Sequence, residues 1–81
     1  MPRYFFDTYD GDLFVKDEIG QELDSLETAE AQAQRSALDM ARDKLPDGGE
    51  RSFVVGVRDE TGRDLLRIAL SMVVAELDPD T

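Results

Sequence analysis

The 81-residue chain contains no cysteine, no histidine and no tryptophan. Without thiols it has neither a disulfide staple nor a thiolate metal site. Without histidine it lacks the usual acid–base group of neutral pH and the commonest transition-metal ligand. Hydrolases whose nucleophile is activated by a histidine are therefore excluded within this chain. Catalysis would fall to carboxylates, Tyr, Lys or Arg, and no convergent polar motif gathers them. The expectation is a non-enzymatic protein with no cofactor and no bound metal. Apolar runs are short as well, and none approaches the roughly 18 residues of a membrane-spanning helix. The opening Met1-Pro2-Arg3-Tyr4 lacks the apolar stretch of an export signal, so the cytoplasm is the expected compartment. Basic residues are scarce: nine Lys and Arg stand against nineteen Asp and Glu, a net charge of −10. Such a field repels phosphate backbones and anionic membranes, so nucleic acid is disfavoured and a basic protein partner is easier to accommodate.

The residues that are present spell two hairpins around one helix. Arg3-Tyr4-Phe5-Phe6-Asp7-Thr8-Tyr9 reads as a strand with aromatics on both faces, turning at Asp10-Gly11 and resuming at Leu13-Phe14-Val15. An irregular acidic connection, 17–25, follows, with Ile19 and Leu23 as its apolar anchors to the core edge. Asp24 and Ser25 are N-cap candidates, and Glu27 stands three after Asp24 as a capping box requires. Leu26, Ala29, Ala33, Ala37, Met40 and Ala41 then recur at helical spacing, with Leu38 and Leu45 able to widen the stripe. Pro46 stops the helix, and Asp47-Gly48-Gly49 is a connector. Phe53, Val55 and Val57 share one face of a third strand, whose Gly56 signals a bulge or a close backbone approach. A turn through Asp59-Glu60-Thr61-Gly62 leads to Leu65–Leu70. Residues 70–77 extend that strand or form a short helix. The expected fold is α+β, β-β-α-β-β, with one helix packed on a mainly antiparallel sheet of about four strands. Residues 1–77 form a single domain and 78–81 a frayed tail.

Candidate sites are few. Asp7, Asp10 and Asp12 flank a glycine, but their spacing is not that of an EF-hand loop, and a solvated turn explains them. Asp59–Asp64 lacks any phosphate-cradling glycine pattern and reads as a turn. Tyr4, Phe5, Phe6 and Tyr9, with Arg3, Arg51, Arg58 and Arg67 on one sheet face, would suit weak stacking of nucleic acid, though the strand is flanked by acids. The most suggestive surface is the sheet face opposite the helix. There Phe5, Tyr9, Val54, Arg58 and Arg67 form a candidate interaction face that the chain itself does not cover. Its expected occupant is an unidentified protein, and homo-oligomerisation through a sheet face or edge strand is a further expectation.

The motifs Met1-Pro2-Arg3-Tyr4-Phe5-Phe6, Asp10-Gly11, Asp17-Glu18-Ile19-Gly20-Gln21-Glu22-Leu23 and Asp59-Glu60-Thr61-Gly62-Arg63 together resemble a family of short bacterial proteins with no assigned function. The resemblance spans nearly the whole chain. Members commonly carry a histidine after the aromatic run, where this chain has Asp7. The resemblance implies the fold's boundaries and no catalytic activity. A fainter similarity, in Ser25-Leu26-Glu27-Thr28-Ala29, is to HicB-type antitoxins, and implies an acidic binder of a basic toxin.

Overall fold

The computed structural model describes residues 1–43 and 50–78. Within them the chain forms β1 (Arg3–Asp10), β2 (Leu13–Val15), β3 (Gln21–Glu22), α1 (Leu26–Asp43), β4 (Glu50–Arg58) and β5 (Asp64–Val73). The strands make one antiparallel sheet in the order β2-β1-β4-β5, with β3 also paired to β1. The α+β fold expected from the sequence is thus present, with the two-residue β3 as an addition. No helix here is long and apolar enough to cross a membrane.

Strand alternation decides the faces. Tyr4 and Phe6 of β1 and Phe53, Val55 and Val57 of β4 point to the helix side and are buried. Complete burial of Phe53, Val55 and Val57 stabilises the fold by about 1.5–3 kcal/mol each. Opposite them the helix presents Ala29, Ala33, Ala37 and Ala41. A stripe of methyl groups lets the helix axis lie close over the sheet, and larger side chains there would overpack it. Leu66, Ile68, Leu70, Met40 and Leu23 close the rim of this core.

Several local expectations are corrected. Leu26, in the first helical turn ahead of the alanine stripe, is 41% exposed, and Leu38, rotated off it, is 55% exposed. Ile19 is mostly in solvent, so Leu23 is the one strongly apolar residue of the connection packed on the core. The first hairpin turns at Gly11-Asp12, because Asp10 pairs with Leu13 and only Gly11 has positive φ. A glycine first in a two-residue loop suits the twist of the strands it joins. Helix capping falls to Ser25, whose Oγ accepts the Thr28 N–H at 3.2 Å, while Thr28 Oγ1 donates to Asp24. Residues 70–73 are strand rather than helix. The register shift between β4 and β5 lies at Val57/Arg58, not at Gly56. Leu45, Pro46 and the Asp47-Gly48-Gly49 connector lie outside the described residues, as does the tail beyond Asp78.

Candidate interaction face

The β1–β4 register sets Phe5 opposite Arg58, Asp7 opposite Gly56 and Tyr9 opposite Val54. On the next strand Arg67 stands beside Gly56 and Ala69 beside Val54. Phe5, Tyr9, Val54, Arg58 and Arg67 therefore share the face away from the helix. Strand β2 adds Phe14, which pairs with Tyr9 and stacks on it at 4.6 Å between ring centroids. Tyr9 and Phe14 are 39% and 48% exposed, which makes them the open aromatic end of the face.

The other end is locked by charge. Arg58 Nε donates to Asp7 Oδ2 at 2.8 Å, and its second nitrogen reaches Asp7 Oδ1 and the Asp17 carbonyl oxygen. The same guanidinium lies 4.6 Å above the Phe5 ring. Both side chains of the pair are largely buried. The hydrogen bond to Asp7 is the main reason that the Arg58 pKa is raised, against a desolvation that lowers it. A cation held this firmly is not free to meet a phosphate. Arg67 is exposed and makes no ion pair among the described residues. Arg51 is on the helix side, where it binds Asp10 at 2.8 Å, so the four arginines do not line one face as expected. Asp7 and Asp10 likewise point to opposite faces, each onto its own arginine, so the two carboxylates do not converge on a cation. No cluster of His, Cys, Asp or Glu suited to a metal occurs among the described residues.

Between the two ends, Gly56 floors a shallow concavity of about 310 Å³ lined by Asp7, Tyr9, Asp64, Leu65 and Arg67. A Cβ on Gly56 would meet only the Asp7 carbonyl oxygen, at 3.9 Å, so the strand does not need a glycine there for space. Its effect is to leave the face indented. Sequence reasoning missed Phe14 and this hollow. Phe14 was within reach, since a two-residue loop at Gly11-Asp12 obliges it to sit across from Tyr9.

The motif residues outside the face serve the fold. Between β2 and β3 the edge of β1 has a gap, and Asp17 fills it. Its carboxylate accepts the N–H groups of Phe6 at 3.0 Å, Ile19 at 3.0 Å and Gly20 at 3.1 Å, while its own N–H donates to Asp7 Oδ1. Burial pushes the Asp17 pKa up, but these three donors and nearby Arg58 outweigh it and hold the group below its ordinary value. Gly20 follows at φ +74°, where a Cβ would stand 2.9 Å from the Tyr4 carbonyl oxygen. Leu23 N–H then donates to the Pro2 carbonyl. In the last hairpin Asp59 Oδ1 gathers the Thr61 hydroxyl and the Thr61 and Arg63 N–H groups. The Thr61 hydroxyl is the main cause of its lowered pKa. The stretch 59–63 is a turn, as expected.

The family model described as a domain of unknown function, DUF6894, matches residues 3–71, from the start of β1 into β5. The chain belongs to this family. No curated protein and no solved structure matches it. The HicB-type similarity is not confirmed, and hydrogen bonding at the helix start accounts for Ser25 and Thr28.

Proposed function

We propose that this member of the family is a non-enzymatic protein-interaction or regulatory module that works through the uncovered sheet face. The observation carrying the proposal is the exposed Tyr9–Phe14 stack beside the Gly56 hollow, on a sheet whose single helix among the described residues covers the other side. Aromatic residues and arginine are the side chains that most often dominate binding energy at protein interfaces. Here Tyr9 and Arg67 line a small indentation together with Leu65, Asp7 and Asp64, which suits a basic side chain with an apolar stem. The partner is a protein whose contact surface is basic around an apolar centre, because the net charge of −10 would oppose any acidic one. The cytoplasm is the proposed compartment.

The test is affinity capture from native lysate with the wild-type chain and with Tyr9→Glu and Phe14→Glu. Both positions are exposed, so each variant keeps its circular dichroism and loses the captured protein. Retention of the same protein by both variants would overturn the assignment. A gel shift at low salt is expected to show no retardation of DNA or RNA, since Arg58 is engaged and Arg67 stands alone on this face.

A further inference from the structure

The two outer edges of the sheet are treated differently. The edge of β1 is broken into two short pairings, with Asp17 stopping the gap between them. An edge closed in this way offers no continuous ladder to another chain. The opposite edge is β5, ten residues long, and it has no partner strand beyond β4 among the described residues. From Leu65 to Val73 it contains no proline and one charge, Arg67, and its register irregularity lies at its very start. Few of the devices that keep an edge strand solitary are present.

Beside this edge runs an apolar groove of about 230 Å³, lined by Gln34, Ala37 and Leu38 of the helix and by Ile68, Ala69 and Leu70. Leu38, more than half exposed, is its outer wall. We propose that β5 pairs with β5 of a second copy of this chain, antiparallel, about a two-fold axis through Ala69.

The side-chain sequence favours that register. It sets Ile68 across from Leu70, Leu66 from Met72 and Leu65 from Val73 of the second copy, and Arg67 from Ser71. Every apolar residue meets an apolar one, and Val73, which is 66% exposed in the single chain, is covered. The two Arg67 residues stand four positions apart along the pair, roughly 13 Å at about 3.3 Å per residue, beyond the Debye length at physiological salt. Pairing residues of equal parity keeps both helices on one side of the joined ten-strand sheet, so the two grooves meet over the axis and the Leu38 side chains close the seam. The groove is centred on 68–70, which locates the same axis without reference to side-chain matching. The proposal leaves the Tyr9–Phe14 end of the sheet free and does not depend on its function.

The experiment is sedimentation equilibrium on the full chain, combined with cross-linking. The wild type is expected to show twice the chain mass at about 100 μM. Its association should strengthen with added salt, because each copy carries −10. Ala69→Lys sets two ammonium groups face to face on the axis and Leu38→Asp charges the seam; both positions are exposed, and each change should weaken association at least tenfold. The chain has no cysteine, so Ala69→Cys introduces its only thiol. Directly opposed residues in an antiparallel pair have Cα atoms about 4.5–5.5 Å apart, within disulfide reach. Mild oxidation should convert Ala69→Cys to a covalent dimer, whereas Tyr9→Cys should form no covalent dimer. A monomer at this concentration in high salt, or a dimer lost with Tyr9→Glu but untouched by Ala69→Lys and Leu38→Asp, would overturn the proposal.

Discussion

Replacing Asp17 with asparagine removes the charge around which the β1 edge is sealed. One carboxylate oxygen takes the Phe6 N–H, and the other takes those of Ile19 and Gly20. Asparagine keeps one acceptor and turns an NH₂ group towards the remaining donor. The Ile19 N–H is exposed, so water replaces its bond at little cost. The Phe6 and Gly20 donors are partly buried: the one left facing the amide NH₂ costs about 1.5–2 kcal/mol, and the one that keeps an oxygen loses its charge assistance, about 0.5–1 kcal/mol more. Asp17→Asn should therefore destabilise the fold by about 2–3 kcal/mol, or lower the melting temperature by roughly 10–20 °C for a chain of this size. Urea titrations of both proteins, followed by far-ultraviolet circular dichroism from pH 7 down to 3, measure it. The native Asp17 pKa lies below the ordinary value of 3.8, so the unfolded state binds the proton more readily. The stabilisation is complete above the unfolded value and is lost as pH falls through the folded one. The difference between wild type and variant should then be constant from pH 7 to about 5 and shrink below about 4. Taking the difference removes the changing self-repulsion of an acidic chain, which both proteins share. A loss under about 0.5 kcal/mol at pH 7, or a gap that does not narrow in acid, would refute the role given to this carboxylate.

Four further substitutions probe the same frame. Gly20→Ala should cost about 2 kcal/mol or more by urea midpoint, since the methyl meets strand backbone at 2.9 Å, whereas Gly11→Ala has open space and should cost about 1. Ala33→Leu forces an isobutyl group into the fully buried stripe between helix and sheet and should lower stability by about 1–3 kcal/mol, with dispersion lost from the amide spectrum. Asp7→Ala leaves Arg58 largely buried without its carboxylate. Denaturation should show a loss of about 2–3 kcal/mol, below the full penalty for a deep ion pair because both side chains keep some exposure.

The architecture was legible because it rests on periodicity. Alternation at Phe53, Val55 and Val57 and four-residue spacing at Ala29, Ala33, Ala37 and Ala41 each have one physical reading, and the elements follow. The residues of the open face were legible for the same reason: Phe5 and Tyr9 have the opposite parity to Tyr4 and Phe6. Interactions that depend on chain path were not. Asp17 looks like one acid among nineteen, and only the gap between β2 and β3 makes it a strand plug. The partition of the arginines, by contrast, was open to parity: Arg51 and Arg58 differ by seven residues, an odd offset that puts them on opposite faces of β4. Leu38 looked like core because helical spacing alone does not say where the sheet ends. Its exposure became informative once β5 proved to be the sheet's open edge.

The motif residues build the fold, and the Tyr9–Phe14 face is the proposed site of interaction. One experiment separates the two most directly: stability and partner capture measured on the same preparation of Tyr9→Glu. Unfolding free energy should fall by only about 0.5–1.5 kcal/mol, the stacking lost with Phe14, while the captured protein is lost. A variant that unfolds as readily as Asp17→Asn, or one that remains stable and still captures the same partner, would contradict it.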